Sequence, residues 1–263
     1  MGLQRNGMKK KKKQGATDEY WQGPEVAHAW VYGYGHLTWE WQPCVALRGV
    51  LHPGLFALLF LLIDSPALVA YGPRMLQGVI ASFGDAAVCR SAERLGGPSA
   101  AWWTMAVHLG SWFQLYCLPR TYSSSLESVL FALALEQWLR GARLRSVTFG
   151  AAAVALRPTA AGYWLALVLY EVAVAARCGQ LRRLVPGFIL PGFAVAVSVL
   201  MLSTALDSWY YGEATVVPWS FLAFNVLSDG SALYGSHAWY WYATEGLVGA
   251  RKLSGSVDGE QRE

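Results

Sequence analysis

Two long runs of apolar residues constrain this chain more than any other feature. Residues 185–206 contain no charged side chain, and residues 99–119 contain none unless His108 is protonated. An α-helix needs about 20 apolar residues to cross the hydrocarbon layer of a membrane. Charged residues make up only 14% of the chain, against roughly 25% in a typical soluble domain. We therefore predict an all-α fold, a polytopic bundle of transmembrane helices.

Shorter apolar segments predict further helices, although several of them carry acidic residues. Proline removes a backbone donor and disfavours helical geometry in the residue before it, so the Arg157-Pro158 step should divide the longest segment in two. Asp85 lies inside an apolar segment, where a charge is costly, and it fits either a functional residue or a partner in helix packing. The segments are residues 54–63, 75–89, 126–139 and 146–176.

Clusters of arginine predict how the helices are oriented. Basic loops face the cytosol, so residues 140–145 and 177–183 should both lie on that side, with a hairpin between them whose tip is near Arg157. Residues 185–206 then cross outward, which places residues 207–212 on the non-cytosolic side. The side of residues 18–50 stays open, because it depends on whether the short segment 54–63 spans the membrane.

The positive charge is concentrated in one tail. Residues 1–17 hold six of the 21 basic residues and no acid, so the other 246 residues hold 15 basic and 17 acidic residues. We predict disordered polar tails at residues 1–17 and 248–263, with the lysine run either solvated or attracted to anionic membrane lipid. The nearly neutral remainder lacks the basic, aromatic-rich patch of a nucleic-acid-binding protein.

Motifs of soluble enzymes are absent from the sequence. There is no phosphate-binding glycine loop that ends in Lys-Ser or Lys-Thr, no His-Glu-x-x-His and no Gly-x-Ser-x-Gly. The four cysteines lack Cys-x-x-Cys spacing, so neither a disulfide framework nor a zinc site is indicated. We predict no metal and no cofactor.

Two segments combine aromatic residues with polar ones. The first, residues 18–42, includes Asp18-Glu19-Tyr20-Trp21-Gln22, and the second covers residues 207–245. Aromatic faces and carboxylates together suit sugar binding. The same composition also suits a belt at the membrane interface, where Trp and Tyr are enriched.

Several motifs in order resemble the dolichyl-phosphate-mannose-dependent mannosyltransferases of glycosyltransferase family 22, which have the GT-C membrane fold. The resemblance covers residues 18–247 and is closest to the family members of GPI-anchor assembly. The matching pieces are Asp18-Glu19-Tyr20-Trp21-Gln22, Glu25-Val26-Ala27-His28, Tyr34-Gly35-His36-Leu37-Thr38-Trp39-Glu40-Trp41, Pro73-Arg74, Arg120-Thr121 with Leu126-Glu127, Arg157-Pro158-Thr159 and Tyr234-Gly235-Ser236-His237.

The resemblance implies a multi-pass protein of the endoplasmic reticulum membrane with aromatic-rich lumenal loops. Its donor would be dolichyl phosphate mannose and its acceptor a GPI-precursor glycolipid, joined in an α-1,2 linkage. Relatives that assemble the lipid-linked N-glycan are one alternative. A non-catalytic membrane protein that binds lipid or partner subunits through the same loops is the other.

The resemblance, together with acid–base chemistry, assigns site residues. Inverting transfer needs a base for the acceptor hydroxyl, for which Asp18 is the first candidate and Glu19 the second. The leaving phosphate needs a cation, and an arginine fork suits its geometry. The candidates for binding the substrates are Arg74, Arg120, Arg157, Tyr234, His237 and Trp239.

The chain departs from the family at both ends. Family members carry a transmembrane helix before the acidic pair and further helices after the segment that corresponds to residues 245–247. We therefore predict a GT-C domain incomplete at both ends, which by itself does not catalyse transfer.

Overall fold

The computed structural model describes residues 18–62, 65–228, 240, 241 and 244, and no strand occurs among them. The prediction of an all-α fold is thus confirmed. The chain divides into two compact units, the first of which ends at Phe221. The helices are α1 (Asp18–Trp21), α2 (Pro24–Tyr32), α3 (Leu51–Leu62), α4 (Pro66–Gly110), α5 (Trp112–Cys117), α6 (Ser123–Leu139), α7 (Arg143–Leu156), α8 (Ala161–Arg177), α9 (Leu181–Leu184), α10 (Leu190–Tyr211) and α11 (Val217–Leu222).

Short 3₁₀ and π elements connect or extend these helices. They are two 3₁₀ turns, Trp39–Trp41 and Pro158–Ala160, and two π-helical turns, Val185–Ile189 and Ala223–Leu227. Both predicted tails, residues 1–17 and 248–263, lie outside the described residues, as do Tyr234, His237 and Trp239.

Two stretches in the described part of the chain are long and apolar enough to cross a membrane, Pro158–Arg177 and Leu181–Tyr211. Many of their large side chains are exposed, whereas Gly192 and Ser203 are buried. This arrangement suits a lipid environment, because lipid tails solvate apolar side chains while small residues allow helices to approach closely. The outward-facing side chains include Leu165, Leu169, Phe193, Met201 and Leu202.

Proline divides the segment 146–176 as predicted. Helix α7 ends at Leu156, Arg157 is extended with φ −145°, and α8 begins after the turn Pro158–Ala160.

The run 99–119 differs from the single crossing that its composition predicts. Helix α4 reverses direction at Gly97, whose φ of 78° is natural only for glycine. The reversal brings Asp85 to 2.8 Å from His108, although 23 residues of straight helix would separate them by about 35 Å. The chain breaks again at Ser111, before α5. Asp85 is therefore a partner in helix packing, one of its two predicted roles.

One end of the helices in residues 1–221 is held by pairs of arginine and glutamate. Glu136 is buried near the end of α6. Its carboxylate accepts hydrogen bonds from Arg90 of α4, with Arg90 Nη2 at 2.9 Å, and it also forms an ion pair with Arg140. Arg143, at the start of α7, pairs with Glu171 of α8 at 2.8 Å. We call this end, defined by these five residues, the arginine end.

The opposite end, which we call the aromatic end, consists of residues 18–50 and the helix termini around them. Helix α3 lies alongside α2, with the rings of Phe60 and Tyr32 6.2 Å apart. Its 12 residues extend about 18 Å, too short for a crossing of about 30 Å. Residues 18–50 thus lie at the same end as the α10 terminus, where Asp207 binds Val50. The structure thus groups residues 18–50 with the end of α10.

Candidate functional site: an acidic pair held by arginines

Helix α1 is a single turn that begins at Asp18 and carries Glu19 into the interior. The Glu19 side chain is fully buried, and its carboxylate receives two parallel hydrogen bonds from Arg74. Arg74 Nε lies 3.0 Å from Oε1 and Arg74 Nη2 lies 3.0 Å from Oε2. Such a forked pair is among the strongest charge-assisted contacts in proteins. It ties α1 to the first turns of α4.

A second group reaches the same carboxylate from the turn before α6. Arg120 Nη1 is 3.7 Å from Glu19 Oε2, and the Thr121 backbone N–H donates to Oε1 at 3.3 Å. The Arg120 guanidinium also stacks over the ring of Tyr116, 3.9 Å from its centroid. Two cations and a backbone donor therefore surround one buried anion, which leaves a net positive charge beside Asp18.

The arginine network gives the two acidic residues different environments. Both Glu19 oxygens are occupied by donors, and the hydrogen bond to Glu19 raises the pKa of Arg74 further above its usual value. Glu19 is thus held in one position. Asp18 is fixed through its backbone, since it starts the helical turn that Glu19 anchors.

Arg157, the third predicted phosphate ligand, lies elsewhere at the aromatic end. Its Nε pairs with Glu127, one turn into α6, at 3.3 Å. The structure therefore brings Arg74 and Arg120 together around Glu19 and places Arg157 on a separate carboxylate.

Aromatic side chains form the exposed part of residues 18–42. The rings of Trp21 and His36 meet edge to face at 5.4 Å, and the His36 backbone N–H donates to Glu25 at 3.0 Å. Tyr20 is 43% exposed and lies beside Arg74, while Tyr34 is 69% exposed. Exposed rings next to a cationic cluster offer a surface for a sugar that carries a phosphate.

Three buried polar residues at this end were not singled out by sequence reasoning. Glu40 forms a forked pair with Arg48, at 2.9 and 3.2 Å, and Asp207 accepts the Val50 N–H at 2.8 Å. His52 packs under Gly23, and its burial, assisted by the Arg48 charge, lowers its pKa to about 4. A neutral His52 therefore supports the base of α1. The contacts of Asp207 with Val50 and of His52 with Gly23 join residues far apart in sequence, so local motifs carried no signal of them, whereas Glu40 and Arg48 are eight residues apart.

The described residues contain no group of three or more His, Cys, Asp or Glu side chains that could hold a metal ion. Two guanidinium groups, of Arg74 and Arg120, contribute positive charge around Glu19.

Residues 11–251 match the Alg9-like mannosyltransferase family. The chain is 36% identical over 240 residues to GPI alpha-1,2-mannosyltransferase 3 of Danio rerio and 35% identical over 241 residues to that of Homo sapiens. It is 35% identical over 245 residues to Mannosyltransferase APTG1 of Arabidopsis thaliana. Each alignment covers 88% of this chain but only 42% or 43% of the relative, so the chain spans less than half their length. No solved structure matches it.

Proposed function

Because the chain belongs to the Alg9-like mannosyltransferase family, we propose that it carries the acceptor-activating site of a GPI mannosyltransferase. The reaction is transfer of mannose from dolichyl phosphate mannose to the second mannose of a GPI precursor, in an α-1,2 linkage. The relatives' name, GPI alpha-1,2-mannosyltransferase 3, supports the acceptor class. It also favours GPI assembly over N-glycan assembly and over a non-catalytic role.

One observation carries the proposal: the buried Glu19 carboxylate is held by Arg74, Arg120 and Thr121. A buried charge needs such partners to be tolerated, and so the fold fixes the turn that begins at Asp18. General base catalysis requires a carboxylate within hydrogen-bond reach of the acceptor hydroxyl. Glu19 has its oxygens occupied, so Asp18 is the residue of the pair that we assign as base.

In the proposed reaction the acceptor hydroxyl oxygen attacks the anomeric carbon of the donor mannose. The new glycosidic bond forms as the bond from that carbon to the phosphate oxygen breaks. Asp18 takes the hydroxyl proton, and dolichyl phosphate leaves with the electron pair. Inversion follows from attack on the face opposite the phosphate, which converts a β-linked donor into an α-linked product.

Arg74 and Arg120 are our candidates for stabilising the leaving phosphate. Together they carry one more positive charge than Glu19 neutralises, and the Arg74 side chain is 46% exposed. A guanidinium that is held in place by a carboxylate is preorganised for the developing charge. The remaining candidates for binding the donor or the acceptor are Arg157, Tyr234, His237 and Trp239.

We further propose a GT-C bundle in the endoplasmic reticulum membrane, with the aromatic end in the lumen. The grouping of residues 18–50 with the α10 terminus, opposite the arginine end, supports this orientation.

N-glycosylation acceptors inserted near Gly35 and near Ser231 should both be modified in microsomes. An acceptor inserted at Gly141, in the arginine end, should stay unmodified. Modification of the acceptor at Gly141 alone would show that the protein has the opposite orientation.

The function is tested by replacing the aligned segment of the human GPI alpha-1,2-mannosyltransferase 3 with this chain. We expect the chimera to restore GPI-anchored proteins to the surface of cells that lack this enzyme. Microsomes should transfer radiolabelled mannose to the GPI precursor. Expression at parental level without transfer to a GPI precursor contradicts the proposal, and transfer to the lipid-linked N-glycan instead supports the family alternative.

A further inference from the structure

The end of α10 is joined to residues 48–50 by two hydrogen bonds that span most of the chain. The Asp207 carboxylate accepts the Val50 backbone N–H at 2.8 Å, and the Tyr211 hydroxyl donates to the Arg48 carbonyl at 2.8 Å. Asp207 is fully buried and Tyr211 is 8% exposed. An ionised carboxylate in such a place is costly unless it is hydrogen-bonded. The contact thus fixes the position of residues 48–50.

Gly49 lies between the ends of α7 and α10. A Cβ atom at this position would lie 3.4 Å from Asp207 Oδ1 and 3.7 Å from the Ala155 carbonyl, which are ordinary contact distances. Residues 48–50 therefore pack against both helix ends.

The fixed segment in turn holds the exposed aromatic loop before it. Arg48 forms the forked pair with Glu40, and the Leu47 backbone N–H donates to the Glu40 carbonyl at 3.1 Å. Glu40 belongs to the turn Trp39–Trp41, in which Trp39 is 41% exposed and Trp41 is buried. A displacement at Val50 would therefore be transmitted through Arg48 and Glu40 to the turn Trp39–Trp41.

We propose that Asp207 and Tyr211 are positioning residues of the transfer reaction. They act through residues 48–50 and the Glu40–Arg48 pair, which hold the aromatic surface against which the acceptor sugars bind. This inference rests on the proposed function for its role in transfer, although the anchoring itself does not depend on that function. A misplacement of about 1 Å at a reacting group can cost on the order of a hundredfold in rate.

The anchoring is tested by trypsin cleavage after Arg48 in the detergent-solubilised chain, followed by mass spectrometry. Asp207→Ala removes the acceptor of the Val50 N–H, and Tyr211→Phe removes only the hydroxyl. Both should raise the cleavage rate after Arg48 about tenfold, because the Arg48–Gly49 bond loses a contact that holds it. Asp207→Asn keeps an amide oxygen at the same place and should restore most of the protection.

Ser198→Ala is the matched control, because Ser198 donates only to Ala194 within α10. Cleavage after Arg145, in the first turn of α7, and after Arg177, the last residue of α8, should be equal in all variants. If cleavage after Arg145 and Arg177 rises together with cleavage after Arg48 in Asp207→Ala, that substitution unfolds the chain. The cleavage rate after Arg48 in Tyr211→Phe then tests the anchoring. An unchanged cleavage rate after Arg48 in Tyr211→Phe and Asp207→Ala overturns the proposal.

The same variants in the chimera separate positioning from general stability. At equal protein abundance, Asp207→Ala should lower kcat about tenfold to a hundredfold, and Asp207→Asn should recover most of it. If the parent chimera is inactive but the variants show the expected cleavage rates, the proposed function is refuted and the anchoring stands. Full activity in Asp207→Ala despite a loosened loop refutes the positioning role.

Discussion

Replacing Asp18 with asparagine is expected to lower mannose transfer by the chimera about 10²–10⁴-fold, the contribution of a general base. Asparagine has nearly the same size but cannot accept the acceptor hydroxyl proton. Helix α1 should still form, because its position depends on the buried Glu19. The measurement is kcat for transfer of radiolabelled mannose in microsomes at matched protein abundance.

The control for Asp18→Asn is Glu213→Gln, which removes an exposed acid after the end of α10. We expect kcat for this variant to stay within a factor of about two of the parent. KM for the acceptor should change little in Asp18→Asn, since the lost interaction belongs to the transition state. If Asp18→Asn retains activity within a few-fold of the parent, the base is not Asp18, and Glu19 becomes the next residue to test.

Replacing Glu19 with alanine is expected to destabilise the protein by about 3 kcal/mol. Removing one partner of a buried ion pair costs roughly 3–5 kcal/mol, and we take the lower end because Arg74 is 46% exposed. The substitution leaves two cations, Arg74 and Arg120, next to each other without their shared anion. The expected drop in Tm is about 6–12 °C in detergent, from the usual scaling of about 2–4 °C per kcal/mol.

A double-mutant cycle isolates the contact itself. Glu19→Ala combined with Arg74→Ala should cost clearly less than the sum of the two single changes, with a coupling of at least about 0.5 kcal/mol. Arg74→Lys keeps the charge but loses the fork, so it should lie between the parent and Arg74→Ala. Additive effects, or a Tm for Glu19→Ala within about 2 °C of the parent, would show that Glu19 does not anchor α1.

The distinct roles of the two acidic residues follow only from the fold. Their adjacency in sequence presents two carboxylates next to each other, and either could be the base. Burial of Glu19 against Arg74 and Arg120 makes Glu19 the anchoring carboxylate, which is why we propose Asp18 as the base. Sequence reasoning also grouped Arg157 with these arginines as a phosphate ligand, whereas its guanidinium pairs with Glu127. No local motif pointed to Glu136 or Asp207, because Arg90 and Val50, which donate to them, are 46 and 157 residues away in sequence.

The sequence by itself determined the class of the fold, the helices of the apolar segments and the break at Arg157-Pro158. These features depend on local properties, namely apolar length, charge and the missing N–H of proline, which each stretch of chain carries alone. The reversal of α4 at Gly97 and the grouping of residues 18–50 with Arg157 and Asp207 were decided by the tertiary structure. The contact of Asp85 with His108 forms only because the chain reverses, and the buried Asp207 is tolerated because the distant Val50 supplies a donor.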